Sequence, residues 1–246
     1  MLPMNRARRS ADLLMFTIDW DGRADLLPSS CAVTGFMGWP DARGEGRLIE
    51  AFRTAAGERQ AVIGGDLPAR NNGRMSITRL VTVADAPTLA EVLRVDREFL
   101  APWEPVRDDD YFTTAGQRAV IRADLQQHVL GSKLPHAILD ESGGLIGRIT
   151  LSDIQRGPFQ SCSLGYWVRA SHNGRGFATK AVREMVRVAF EELGLHRVQA
   201  AVLLHNVGSH RVLDRNGFMR FGMAPEYLHI AGRWQDHAMY QVVRAS

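Results

Sequence analysis

The sequence contains few cysteines and no long apolar run. Its 246 residues include two cysteines, which form neither a disulfide framework nor a metal cluster, so we expect a reducing environment and no bound metal. No apolar stretch approaches the roughly 18 residues that a membrane helix needs. We also expect no signal peptide, because the start lacks a long apolar core followed by a cleavage site. These absences predict a cytoplasmic protein that does not associate with a membrane.

Lysine is also nearly absent, and the net charge is small. Lys133 and Lys180 are the two lysines among 30 basic residues, and the formal net charge is +3. The arginines are scattered along the chain and do not form the basic stripe that is typical of an RNA-binding groove. We therefore expect no direct contact with nucleic acid. The hydrophobic content of 45% and the charged content of 23% are ordinary for a globular protein.

The character of the sequence changes near residue 74. Residues 1–74 are rich in turn-forming residues and show little sustained periodicity, apart from one candidate helix at 46–60. The sequence therefore predicts an N-terminal extension over 1–74 that is either poorly ordered or a small accessory element. A single domain is predicted over 75–246.

Strands and helices alternate in the predicted domain. Apolar residues alternate, or recur at helical spacing, between segments that are rich in turn residues. The strands are predicted at 77–83, 136–140, 145–154, 161–168, 197–203, 219–228 and 234–243, and the helices at 86–99, 114–129, 177–193 and 207–215. This order predicts an α/β mixture with antiparallel hairpins at both ends, which differs from repeated βαβ units.

Two glycines separated by one residue stand between the strand at 161–168 and the helix at 177–193. Gly174 and Gly176 would let an anion approach the backbone, and the first turn of the helix offers N–H groups without intrahelical partners. The loop lacks the Gly-Lys-Ser/Thr ending of a P-loop, and Thr179 stands where a dinucleotide-binding loop has its third glycine. By itself, the loop is compatible with a phosphate site and with a plain structural turn.

Other segments carry a resemblance to a known family. The segment "HNVGSHRVLDRNGF" at 205–218 and the glycine pair resemble the coenzyme A site of GNAT acetyltransferases, although Ser171 stands where their loop has glutamine or arginine. The strings "LAPWEPVRDDDYF" at 100–112, "RGPFQSCSLGYWV" at 156–168 and "IAGRWQDHAMY" at 230–240 resemble the RimJ/RimL group of this family, and RimJ more than RimL. The resemblance covers the predicted domain and not the extension.

The resemblance implies a fold and an activity. The expected fold is that of acyl-CoA N-acyltransferases, with a mixed, mostly antiparallel central sheet flanked by helices. The expected activity is direct transfer of acetyl from acetyl-CoA to an amine, namely the N-terminal α-amine of a bacterial ribosomal protein. Two alternatives stay open: an acetyltransferase for a small amine such as an antibiotic or polyamine, and an acyl-CoA-binding factor without catalysis. The oligomeric state, monomer or homodimer, also stays open.

The resemblance also assigns residues to the acetyl-CoA site. The loop would bind the pyrophosphate through its backbone N–H groups, with added charge from Arg175, and it comprises Asn173, Gly174, Arg175, Gly176, Phe177, Ala178 and Thr179. The backbones of Trp167 and Val168 would bind the pantetheine arm, together with the side-chain amide of Asn206. Asn206 is also well suited to cap the helix at 207–215, and Arg175 to an exposed loop position.

The resemblance assigns the catalytic residues less completely. Many family members use a tyrosine on the last helix as the acid for the leaving thiolate, but Leu213 occupies this position. Ser209, one helical turn earlier, is the candidate for contacting the thiolate. Glu104 and Asp236 are candidate bases for the amine, and each is equally suited to a structural hydrogen bond. His237 has two open interpretations: a group that titrates near neutral pH, or a strand residue that faces outward or packs in the core. Three aromatic residues are expected in the core or the cleft wall: Trp103, Tyr166 and Trp234.

Overall fold

The computed structural model describes residues 76–245 and the two-residue strand Leu14–Met15. Apart from that strand, the predicted extension over 1–74 and its helix at 46–60 lie outside the described residues. Within the described part of the chain, no helix is both long enough and apolar enough to cross a membrane.

The helices and strands follow the predicted order. The strands are β1 (Leu14–Met15), β2 (Thr78–Leu80), β3 (Leu134–Leu139), β4 (Leu145–Gln155), β5 (Ser161–Val168), β6 (Arg197–Leu203), β7 (Met219–Ile230) and β8 (Arg233–Val243). The helices are α1 (Ala86–Val95), α2 (Arg97–Leu100), α3 (Thr114–Val129), α4 (Phe177–Arg187) and α5 (Val207–Asp214). Short 3-10 turns connect several of them, at Val83–Asp85, Ala101–Trp103, Asp109–Phe112 and Ala170–His172.

The strands form one mixed sheet. Seven of them lie in the order β2-β3-β4-β5-β6-β8-β7, and β1 pairs with β5 away from this path. Neighbouring strands are antiparallel except for β5 and β6, which run parallel. The expectation of a mostly antiparallel sheet flanked by helices is confirmed.

The sheet buries an apolar layer on each face. On one face, which we call the α4 face, α4 and α5 cover the sheet, and α4 contributes a stripe at helical spacing: Phe177, Ala178, Ala181, Val182 and Met185. On the other, the α1 face, α1 and α3 cover the sheet. Side chains alternate between the faces along a strand. On β5, Tyr166 and Val168 therefore lie on the α4 face, and Trp167 lies on the α1 face.

Three elements differ in kind from the predicted ones, and several others differ by one or two residues at an end. The strand predicted at 77–83 contains three residues, Thr78–Leu80, and a 3-10 turn follows it. The helix predicted at 86–99 is interrupted at Asp96, whose carboxylate accepts the N–H of Ala170 at 2.8 Å. That partner is 74 positions away in the chain, so local periodicity could not reveal the break. The helix predicted at 177–193 is α-helical to Arg187 and continues as one π-helical turn.

β5 and β6 separate part-way along their length. They pair along β5 only over Ser161–Ser163, although both strands continue beyond this point. The edge of β5 that faces β4 is already paired at Tyr166 and Trp167. β1 pairs with the same two residues. It therefore lies on the opposite edge of β5, at positions where β6 is no longer paired. We call the opening between the two strands the β5–β6 gap.

Candidate active site

The glycine loop leads from the end of β5 into α4. Gly174 and Gly176 have φ of +72° and +84°, in the left-handed region where a side chain is unfavourable. Gly176 is the N-cap of α4 and offers no side-chain acceptor. The first N–H groups of α4 therefore have neither an intrahelical partner nor a capping side chain. The positive end of the helix dipole lies at this loop.

The side chains of the loop divide between core and solvent. Phe177 and Ala178 are buried on the α4 face, so only their backbones can reach a ligand in the loop. The Arg175 guanidinium lies 3.5 Å from the carboxylate of Glu141 and 5.2 Å from the centre of the Phe177 ring. The ammonium of Lys180, which is exposed, lies 5.6 Å from the same ring. The loop thus carries two cations beside a helix N-terminus.

Two carboxylates from other elements anchor the start of the loop. The Asp96 carboxylate, which is buried, accepts the N–H of Ala170 in the 3-10 turn before the glycines. The carboxylate of Asp140, at the end of β3, lies 3.7 Å from Nε2 of His172 and accepts N–H groups of its own turn. Sequence reasoning missed both anchors, because each joins segments that are distant in the chain.

Asn206 and Ser209 begin α5 on the α4 face. Asn206 is the N-cap of this helix, and its Oδ1 accepts the N–H of Ser209 at 3.0 Å. The capping role considered from the sequence is therefore present. Both residues are fully buried. The cap uses the amide oxygen, and Nδ2 is the donor atom of the same side chain.

The hydroxyl of Ser209 takes no part in the cap. Among the described residues, its Oγ is buried without a regular hydrogen-bond partner, and so is the phenol oxygen of Tyr166 on β5. Burial raises the pKa of Tyr166, and the nearby Ser209 hydroxyl opposes this rise without reversing it. Leu213, at the position where many relatives have a tyrosine, is fully buried in the apolar layer.

The segment around Trp103 lies at the end of β6 on the α1 face. The Trp103 indole stacks on the ring of His205, with a centroid distance of 5.3 Å. The next residue, Glu104, is only 3% exposed, and its carbonyl oxygen accepts the N–H of Ala231 in the β7–β8 turn at 2.8 Å. The segment therefore joins the end of β6 to the last hairpin. Trp234 of this hairpin is 61% exposed, in contrast to the buried Trp103.

β8 places His237 opposite Leu203, the last residue of β6. His237 is buried, and its Nδ1 lies 2.8 Å from the carbonyl oxygen of Gln235. Because a carbonyl can only accept, Nδ1 carries the proton, and Nε2 carries the lone pair. Burial lowers the pKa of His237, so the ring is neutral at pH 7.

Asp236 holds a bulge in β7. Its Oδ1 accepts the N–H of Glu226 at 2.9 Å, within the register shift between Ala224 and Leu228. Glu226 is exposed and has a φ of +45°, a strained value for a residue with a side chain, and such strain is concentrated at functional sites. Pro225 inside the predicted strand is a signal for a bulge, but it does not show which carboxylate the bulge exposes, so Glu226 was not among the candidate bases.

The family model for the acetyltransferase (GNAT) domain matches residues 74–219, which is more than half of the chain. This chain belongs to the GNAT acetyltransferase family. The GNAT match includes the glycine loop and α5.

Individual GNAT relatives agree with the RimJ-like strings. The probable N-acetyltransferase YjcK of Bacillus subtilis is 36% identical over 172 residues, which are 70% of this chain and 95% of that protein. The ribosomal protein uS5-alanine N-acetyltransferase of Escherichia coli is 34% identical over 164 residues, 66% of this chain and 84% of that protein. Among solved structures, Mycobacterium smegmatis RimJ in complex with CoA-disulfide has a TM-score of 0.66 and 29% identity, covering 68% of this chain and 80% of that chain.

GNAT acetyltransferases use acetyl-CoA, and features of the glycine loop test whether this chain fits it. Among the described residues, both amide atoms of Asn173 are withdrawn from solvent without a hydrogen-bond partner, as expected for a side chain beside a polar ligand. At Gly174 and Gly176, no atom lies within 4 Å of an added Cβ, so the loop is open on that side. These features fit a phosphate-bearing ligand.

The structure brings the predicted acetyl-CoA residues of this GNAT enzyme to one end of β5. Trp167 and Val168 form that end, and the loop from Asn173 to Thr179 follows it. Asn206 and Ser209 lie on α5, which follows the end of β6. The candidate bases are divided between the Trp103 segment and the last hairpin, which the backbone contact of Glu104 joins.

Proposed function

We propose that this enzyme acetylates the N-terminal α-amine of a protein, with a ribosomal protein as the substrate class. The observation that carries the proposal is the β5–β6 gap, which opens toward the end of β5, where the chain leads into the glycine loop. The relative that is 34% identical over 164 residues is named for alanine of ribosomal protein uS5. This name supports a protein substrate.

The loop and the gap offer matching partners for the two halves of acetyl-CoA. The N–H groups at the start of α4 would bind the pyrophosphate, and Arg175 would exchange Glu141 for a phosphate. The pantetheine arm would lie in the gap as an extended chain against the backbones of Trp167 and Val168. The pairing of β1 with Tyr166 and Trp167 supports this role, because it shows an extended backbone on the same edge. Asn206 would donate from Nδ2 to a carbonyl of the arm.

The amine must lose a proton when it attacks the thioester carbonyl. An α-amine has a pKa of about 8, against about 10.4 for lysine, so it needs only a weak base. Of the nearby carboxylates, Glu104 is buried and Asp236 holds the backbone of the bulge. Glu226 is exposed on that bulge, where an incoming substrate can reach it. We therefore place the proton acceptor at Glu226, directly or through water, and give Asp236 and Glu104 positioning roles.

A CoA-release assay over a panel of acceptors tests the proposal. The panel contains peptides beginning with alanine or serine, the same peptides with acetylated N-termini, and small amines that include spermidine. We expect release of CoA with free α-amines and none with the blocked peptides. Turnover of a small amine together with failure of every peptide would overturn the protein substrate.

The same panel separates the two alternatives. A spermidine N(1)-acetyltransferase of Vibrio cholerae is 28% identical over 97 residues, which are 39% of this chain, so a polyamine belongs in the panel. Measurable CoA release with any acceptor would eliminate the factor without catalysis. Absence of release with every acceptor, in a protein that binds acetyl-CoA, would favour that factor instead.

A further inference from the structure

Two buried hydroxyls lie near each other on the α4 face of the gap. Tyr166 comes from β5 and is 2% exposed, and Ser209 comes from the first turn of α5 and is 0% exposed. Among the described residues, neither hydroxyl oxygen has a hydrogen-bond partner of regular geometry. Buried polar groups in folded proteins are usually paired, and exceptions indicate a missing ligand or a functional role.

The two hydroxyls are close enough to interact. The Ser209 hydroxyl opposes the rise in the pKa of Tyr166 that burial causes, and the net pKa stays above its ordinary value. The phenol is therefore protonated at physiological pH and can donate a hydrogen bond but not a proton. Ser209 can accept that bond, because Asn206 occupies its backbone N–H and leaves the hydroxyl out of the cap.

We propose that Tyr166 is a positioning residue that donates a hydrogen bond to Ser209 Oγ and so directs the Ser209 hydroxyl at the sulfur of coenzyme A. A serine hydroxyl has one proton and two lone pairs. When one lone pair accepts from the phenol, the hydroxyl proton remains available for another acceptor. The inference rests on the proposed acetyl transfer, in which Ser209 contacts the leaving thiolate. It would also explain how this chain works with Leu213 in place of a tyrosine.

Acetyl transfer, the step that Tyr166 and Ser209 assist, does not require a proton from Tyr166. The amine nitrogen forms a bond to the acetyl carbon, the bond between that carbon and sulfur breaks, and its electron pair goes to sulfur. The proton of the amine leaves to Glu226 or to water. Ser209 stabilises the charge on sulfur by a hydrogen bond, which is stronger than a neutral one because the acceptor is ionised. The thiolate takes its proton from solvent when CoA is released.

The pKa of the thiol in bound CoA tests the inference without an acceptor substrate. It is measured from the ultraviolet absorbance of the thiolate in the complex of the full-length protein with CoA, and desulfo-CoA serves as the blank. We expect the lowest thiol pKa in the wild type, a higher value in Ser209→Ala, and an intermediate value in Tyr166→Phe. The double variant should match Ser209→Ala, because Tyr166 acts through Ser209. Equal values in all four proteins would overturn the inference.

The rate of acetyl transfer gives a second measurement. Loss of one neutral hydrogen bond is worth about 1 kcal/mol, so Tyr166→Phe should lower kcat about fivefold and leave the KM for acetyl-CoA unchanged. Tyr166→Phe should change the unfolding temperature little, because the buried ring stays in the apolar layer and only the phenol oxygen is removed. Tyr240→Phe is the matched control, since Tyr240 is also buried on the α4 face and its hydroxyl pairs with His210 at 2.8 Å.

The outcomes separate this inference from the proposed function. Failure of every protein N-terminus as acceptor would refute the proposed substrate and leave the thiol measurement valid. Multiplicative losses of kcat in the Tyr166→Phe, Ser209→Ala double variant would show that the two residues act independently and would overturn the inference. The same conclusion would follow if Tyr240→Phe shifted the thiol pKa as much as Tyr166→Phe.

Discussion

At the scale of single residues, Asp236 and Glu226 have different expected roles although both are carboxylates. Asp236 accepts the backbone N–H of Glu226, so its charge holds the bulge. The Glu226 carboxylate is exposed beside that bond. Substitution by an amide should affect activity differently at a general base and at a residue that positions it. An amide oxygen still accepts a hydrogen bond but cannot take a proton.

We expect Glu226→Gln to lower kcat by about 10²-fold at pH 7, within the range for loss of a general base. The loss should be smaller at high pH, where the acceptor amine is already neutral. Asp236→Asn keeps the acceptor for the Glu226 N–H and should lower kcat by less than Glu226→Gln. The measurement is the pH profile of kcat for both variants with one peptide. A larger loss in Asp236→Asn would move the base to Asp236.

Glu104, a candidate base from the sequence, can be tested separately. Glu104 lies in the segment that joins the end of β6 to the last hairpin. Glu104→Gln should change kcat less than Glu226→Gln does, because the Glu104 side chain is buried. A large loss of kcat with an unchanged unfolding temperature would restore Glu104 as the base.

At the scale of elements, the start and the end of α4 provide a matched pair of glycines. Gly176 begins α4 with a φ of +84°, and Gly194 follows its π-helical turn with a φ of +64°. An added Cβ would meet no atom within 4 Å at either site. Alanine should therefore cost about 1–2 kcal/mol of unfolding free energy at each position, through backbone strain alone.

Only Gly176 lies at the proposed phosphate site. We expect Gly176→Ala to raise the KM for acetyl-CoA, because the new methyl group occupies the space where a phosphate would approach the N–H groups of α4. Gly194→Ala should leave this KM unchanged at a similar loss of stability. Thermal unfolding and KM measured on both variants check the prediction. An equal rise in KM for both would show that the loop is a plain turn.

One edge of β5 has two competing partners, and this competition can be tested. β1 pairs with Tyr166 and Trp167 on the edge that β6 leaves, and the pantetheine arm is proposed for this same edge. The two cannot occupy it together. Removal of residues 1–19 should therefore strengthen the binding of CoA, measured by calorimetry against the full chain. Weaker binding after the removal would show that β1 supports the site rather than competing for it.

At the scale of the whole molecule, we expect a half-buried histidine to make stability depend on pH. His136 on β3 has its pKa lowered to about 4, chiefly by burial, and its Nδ1 lies 3.1 Å from Thr78 Oγ1. The unfolded chain binds this proton near the ordinary value of 6.5. Between these two values the unfolded state holds more protons, so stability falls as the pH drops through this window.

We expect His136 to cost on the order of 2 kcal/mol of unfolding free energy between pH 6.5 and pH 4. His136→Gln should reduce this loss, measured by denaturant unfolding across the window. His196→Gln is the control, because His196 is exposed. An equal slope with pH in the wild type and in His136→Gln would contradict the prediction.

Local sequence patterns were sufficient to predict the order of the elements and the position of the glycine loop. Strand alternation and helical spacing are local patterns, so α3 and β5 have their predicted bounds, 114–129 and 161–168. Gly174 and Gly176 indicated a left-handed loop before a helix for the same local reason. The family also followed from strings that are contiguous in the chain.

Which side chains meet could not be predicted from these local patterns. The contacts of Asp96 with Ala170 and of Asp236 with Glu226 join different elements of the chain. Such contacts depend on strand order, register and bulges, which periodicity does not encode. The β5–β6 gap arises in the same way, because it forms where two correctly predicted strands stop pairing.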